Sequence, residues 1–207
     1  ACTHGSRILL PGTIYNYGPD AFPTLHENSP QTPLTRKGKI RVELERRLQI
    51  AAASDVRALI VRAGDFFGPN AGNNWFSQGL VKPGKPVTAV TYPGREGVGH
   101  AWAYLPDLAE TMAQLLDRES TLAPFERFHF GGHWDPDGTR LTEAIRAAAG
   151  SSNIQVRAFP WMLLALLAPF KTLFREMREM RYLWEQPLKL DNAHLRHVLG
   201  TEPHTPL

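Results

Sequence analysis

In DVRALIVRAGDFFGP, residues 55–69, the apolar run from Ala58 to Val61 is continuous rather than alternating. A strand with one wet face alternates apolar and polar residues, whereas a continuous run is the pattern of a parallel strand covered on both faces. Upstream, RILLPGTIYNYG begins as another buried strand and runs into a loop. Between the two, Ile40, Leu44, Leu48 and Ala51/Ala52 recur at helical spacing, which predicts a helix over 37–53 with those residues on its core face. Strand, helix, strand with so long a crossover is a βαβ unit, right-handed by rule.

The rest of the chain repeats this grammar. HAWAYLPDLAETMAQLLDR predicts a short strand and a helix with Pro106 in its first turn. ERFHFGG and IQVRAF read as strands. DGTRLTEAIRAAAG and LDNAHLRHVLG read as helices stopped by Gly150 and Gly200. Residues 70–99 form a loop-rich insertion of Gly, Pro, Asn and Val. Residues 161–184 are expected to be helical, kinked or broken at Pro169, with Phe170, Leu173, Met177, Met180 and Trp184 on one stripe. The fold class is α/β, with a parallel sheet and a second, smaller lobe.

Several functions are argued against. The 23 Lys and Arg exceed the 20 Asp and Glu by only three, and the basic run over 36–47 has no interleaved aromatics, so no nucleic-acid partner is expected. The apolar stretch 160–174 is interrupted by Pro169 and is too short to span a bilayer, so no membrane partner is expected either. The single cysteine, Cys2, fits a reducing compartment, and a cytoplasmic location is expected. The opening ACTHGSRILLPG has no signal-peptide pattern. His194/His197 and His129/His133 lack the further ligands that would complete a metal site, so none is expected. A nucleophile elbow, a Walker loop and a G-x-G-x-x-G turn are all absent from the sequence.

The ordered set PGTIYNYG, TPLTRKGKIRVE, LIVRAGDFFGP, WAYLPDLAETM and LDNAHLRHVLGTEPHTPL resembles the extended short-chain dehydrogenase/reductase family, of the NAD-dependent epimerase/dehydratase type. The resemblance implies the C-terminal part of a Rossmann-like doubly wound parallel sheet with a smaller substrate-binding lobe. Residues 1–69 would be the second half of the NAD(P)-binding domain. Residues 70–207 would be mainly the substrate lobe, with strand-helix returns to the sheet near 100–130. On this reading the chain starts at the family's fifth strand, without the first half of the nucleotide-binding sheet.

The same resemblance implies an NAD(P)-dependent oxidoreductase, epimerase or dehydratase acting on a small carbonyl or hydroxyl compound by hydride transfer, with NAD or NADP as cofactor. It matches Thr13 to the hydroxyl that holds the reacting oxygen and Lys39 to the ribose-binding cation, with Glu43 four residues on. Arg62, Ala63 and Gly64 fall at the cofactor-facing strand end. The tyrosine position, four before Lys39, is Thr35, and an alkanol is too weak an acid to replace a phenol. On an extended strand Thr13, Tyr15 and Tyr17 would share a face, making Tyr15 a substitute acid; packing at a strand end is the other reading. Asn73, Asn74, Trp75, Arg95 and His100 fall where the family builds its substrate pocket. Trp161, Leu164, Leu167 and Phe170 suggest an apolar wall that would favour a small hydrophobic carbonyl compound over a nucleotide sugar. A non-catalytic NAD(P)-binding sensor or scaffold of the same fold is the alternative. The resemblance also implies a homodimer through the helix over 37–53.

Overall fold

The computed structural model describes residues 6–72 and 74–207. Three parallel strands, β1 (Arg7–Thr13), β3 (Arg57–Ala63) and β7 (Phe125–His129), pair in the order β1-β3-β7. Thr13 stands opposite Ala63 and Arg62 opposite His129, so all three strands end at one edge. The continuous run of β3 has its physical reason here. Leu59, Val61 and Ala63 pack with Leu108 and Leu115 of α2 (Leu105–Asp117) and Leu195 of α6 (Ala193–Leu199). Alternate residues point the other way, where Arg62 meets Glu45 of α1 (Arg36–Ala51). The sheet is therefore covered on both faces.

Thr35 starts α1. Its backbone is extended and its hydroxyl accepts from the Gly38 N–H at 3.0 Å, an N-cap bond that satisfies one orphan donor of the first turn. The helix has the expected span but a different face inward. Ile40 and Leu44 are 59% and 36% exposed, whereas Gly38, Glu45 and Ala52 are buried. The reason is the buried Arg62 guanidinium, which needs a carboxylate and turns Glu45 toward the sheet. Gly38 is required by close approach: a Cβ there would overlap the Tyr15 carbonyl oxygen and Pro33.

A second body begins inside β3's own continuation. β4 (Asp65–Phe67) pairs parallel with β6 (His100–Tyr104), which pairs antiparallel with β8 (His133–Asp135). Gly64 joins β3 to β4, and a Cβ on it would collide with the Ala101 carbonyl. β5 (Ala89–Tyr92) pairs with β9 (Gln155–Ala158), and β2 (Thr24–Leu25) with β10 (Lys189–Leu190). The core here is aromatic: Trp75, Tyr92, Trp102 and Trp184 pack with Leu80, Met180, Leu183, and with Leu141 and Ile145 of α3 (Arg140–Ala148). The insertion over 70–99 is thus not structureless, holding β5 and one π-helical turn (Phe76–Leu80).

Pro169 breaks the segment over 161–184 into α4 (Trp161–Leu167) and α5 (Thr172–Glu179). The expected stripe splits accordingly. Met180 and Trp184 are core, but Phe170 is 79% exposed and Leu173 half exposed. Leu164 is buried, while Leu167 stands exposed, so the proposed apolar wall is only partly a wall. β4 belongs to the second body, and α2, β7 and α6 belong to the sheet. None of the described helices is long and apolar enough to cross a membrane.

Candidate functional site

Ligands of open α/β sheets bind outside the carboxyl ends of the strands, and here that edge is formed by Thr13, Ala63 and His129. β1 stops at Thr13 and residues Ile14–Asn16 make a 3-10 turn. Residues 13, 15 and 17 consequently do not share a strand face. Their side chains separate into three environments. The Thr13 hydroxyl is buried and has no hydrogen-bond partner among the described residues. Tyr17 is buried in a polar network, and Tyr15 lines a cleft.

The network is structural. Both oxygens of Glu45 lie within 2.6 Å of Arg62 Nη2. Arg62 Nη1 donates to the Tyr17 hydroxyl at 2.5 Å, and that hydroxyl lies 2.9 Å from His129 Nε2. With the Tyr17 proton given to Nε2, the other ring nitrogen donates to the Leu25 carbonyl at 3.2 Å. Burial, reinforced by Arg62, pulls His129 down to about 3, so the imidazole is neutral. Asn16 closes the set through Glu45 and Gln31. Arg62 has both terminal nitrogens engaged and no exposure, so it is not free to hold a cofactor.

The cleft encloses about 620 Å³, part of it open to solvent, between α1, the π-helical turn and α5. Tyr15, Lys37, Asn74, Trp75, Gln78, Leu173, Glu176, Met177 and Met180 line it. Burial pushes the Tyr15 phenol above the ordinary phenol range, the Asp65 carboxylate adds to this, and the Arg41 guanidinium offsets part of it. The phenol is protonated at neutral pH and is a weaker acid than a free tyrosine. Lys37 Nζ lies 2.8 Å from Glu176, tying α1 to α5 across the cleft.

Of the residues expected at the site, Tyr15, Asn74 and Trp75 are brought together, with Thr13 at the strand end two residues from Tyr15. Lys39 is not. It is exposed on the outer face of α1, in a shallow groove with Ile40, Glu43, Leu44 and Arg47. Residues four apart share a helix face, so with Glu45 inward the inward cations are Arg41 and Lys37. Glu43 is a surface residue, its carboxyl held at about 2 by Arg46 and Arg47. Ala63 and Gly64 are buried at the strand end, Gly64 to let the two bodies approach.

Arg95 lies elsewhere, in a groove with Tyr92, Gly138 and Arg157. His100 is behind the aromatic wall, stacked on Trp184 at 3.8 Å with its Nε2 2.8 Å from Asp65. Asn73 lies outside the described residues. Lys37, Gln78, Glu176, Met177 and Met180 were not anticipated. Asp65 was not either, although its position directly after a buried strand end was visible.

The fold has counterparts among solved structures. A UDP-galactose 4-epimerase superposes with a TM-score of 0.64 at 17% identity, covering 95% of this chain and 57% of that one. A dTDP-glucose 4,6-dehydratase from Streptomyces venezuelae, solved with NAD, gives 0.63 at 16% identity, covering 97% and 56%. A human epimerase family protein solved with NADPH gives 0.63 at 16% identity, covering 95% and 60%. The chain thus has the Rossmann-like fold of NAD-dependent epimerases and dehydratases and spans less than two thirds of their length. No protein-family model matches the sequence, and no curated protein does.

Proposed function

We propose that this chain is the substrate-side part of an NAD(P)-dependent oxidoreductase, epimerase or dehydratase acting on a small carbonyl or hydroxyl compound. The observation that carries the reading is the Tyr15 phenol lining a cleft beside the carboxyl end of β1. The neighbours solved with NAD or NADPH support a nicotinamide cofactor.

In this mechanism Tyr15 gives the reacting oxygen its proton as the carbonyl is reduced. Hydride chemistry at the adjacent carbon would be supplied by NAD(P) when it is bound. Arg41, whose guanidinium offsets part of the upward push on the Tyr15 phenol, stabilises the phenolate left behind. Trp75 and Met180 keep water from the reacting carbon. The residues present fit the reacting end of the cofactor. None of them is assigned to its pyrophosphate, for which the sequence holds no glycine-rich turn.

A second reading, a non-catalytic NAD(P)-binding sensor or scaffold, is favoured by Thr35, whose hydroxyl is engaged as a helix cap and leaves no acid at that position. Stopped-flow nicotinamide absorbance with a panel of carbonyl compounds separates the two. Hydride transfer supports the oxidoreductase; cofactor binding with no transfer to any compound supports the sensor. The cytoplasmic location and small-molecule partner remain part of the proposal, as does pairing through α1, whose Ile40 and Leu44 are exposed.

A further inference from the structure

The cleft is asymmetric in its chemistry. Trp75, Leu173, Met177 and Met180 make one side apolar, and Trp75 is itself fixed edge-on by Trp184 at 5.5 Å and Phe159 at 5.6 Å. Among the described residues, the charged groups on the cleft lining are one cation, Lys37, and one carboxylate, Glu176. Lys37 lines the cleft, and Arg175 and Arg36 act with it on Glu176 to hold that carboxyl low, Lys37 first among them. Glu176 is the only carboxylate among the described lining residues.

The Lys37–Glu176 bridge is short, at 2.8 Å, yet its side chains are 50% and 38% exposed. An ion pair so open to water contributes little and exchanges readily. Glu176 therefore occupies, from within the chain, a place that any carboxylate could take.

We propose that the cleft binds an amphipathic carbonyl or carbinol compound bearing an anionic group, with its apolar body on Trp75, Leu173, Met177 and Met180 and its anion on Lys37 in place of Glu176. The proposal rests on the cleft being the substrate site described above. Glu176 acts as an internal competitor, so the bridge between α1 and α5 opens as the ligand enters. The apolar side excludes a simple inorganic anion as sufficient ligand, and Lys37 favours an anionic ligand over a purely neutral one.

Calorimetric titration with 4-phenyl-2-oxobutanoate and its uncharged analogue 4-phenylbutan-2-one tests this on the wild-type protein, Lys37→Met and Glu176→Gln. The oxo acid is expected to bind the wild type roughly three- to tenfold more tightly than the ketone. Lys37→Met should erase that preference and Glu176→Gln should enlarge it, with ketone affinity little changed in either. Equal affinities in the wild type, a preference that survives Lys37→Met, or no binding of either compound would overturn the proposal. Binding is read without nicotinamide, so failure of hydride transfer with the anion preference intact would fault the redox chemistry and not the ligand class.

Discussion

Glu45 and Arg62 form a buried ion pair, both carboxylate oxygens within 2.6 Å of one guanidinium nitrogen, and this pair sets the rotation of α1 against the sheet. Everything that α1 presents to the cleft follows from it. Arg41 and Lys37 lie one and two turns back on the same face, and Lys39 is turned to solvent. Removing one partner leaves an uncompensated buried charge, which costs about 3–5 kcal/mol. Glu45→Gln is thus expected to lower unfolding free energy by that amount in chemical denaturation, while Glu43→Gln, on the exposed face, leaves the midpoint in place.

His129 makes stability pH-dependent. Its folded pKa, about 3, lies below the unfolded value near 6.5, so the unfolded chain binds the extra proton in between. The contribution is complete above about pH 6.5 and is lost as pH falls toward 3, at up to about 1.4 kcal/mol per pH unit. His133, also held low by burial and by His204, acts in the same direction. Denaturation between pH 4 and 7 should show this slope, flattened in His129→Gln.

Gly38→Ala places a Cβ against the Tyr15 carbonyl oxygen and Pro33. The helix must shift from the turn that carries Tyr15, at a cost of about 1–3 kcal/mol. A displacement near 1 Å in a reacting group lowers turnover on the order of 100-fold. The variant is expected to lose turnover out of proportion to its loss of stability, measured side by side.

The C-terminal segment is tied down by a carboxylate in a backbone cradle. Glu202 accepts from the Gly131 and Gly132 N–H groups and from Asn192, all at 2.8 Å. Thr205 hydrogen-bonds both Asp107 oxygens at 2.7 Å. Glu202→Ala should speed amide exchange over 201–206 while β3 keeps its protection.

The sheet was legible because burial on both sides writes itself into Ala58–Val61 directly. The span of α1 was legible too, from its apolar period and the break after Ala53. Its phase was not. Ile40 and Leu44 form a regular stripe, but the buried face is Gly38, Glu45 and Ala52, and a buried glutamate reads as a surface residue until its arginine is known. The cleft was half legible. Tyr15, Asn74 and Trp75 are near in sequence to recognisable strand ends, whereas Met177, Met180 and Glu176 reach it only because Pro169 breaks the helix and turns α5 back toward α1.

The central claim is that Tyr15 delivers the proton. Single-turnover hydride transfer from NADPH or NADH to an accepted carbonyl compound, in the protein that carries this chain, tests it. Tyr15→Phe is expected to slow transfer by about 100-fold or more, with Lys39→Met at the wild-type rate. Unchanged transfer in Tyr15→Phe, or a loss in Lys39→Met that equals it, would contradict the account.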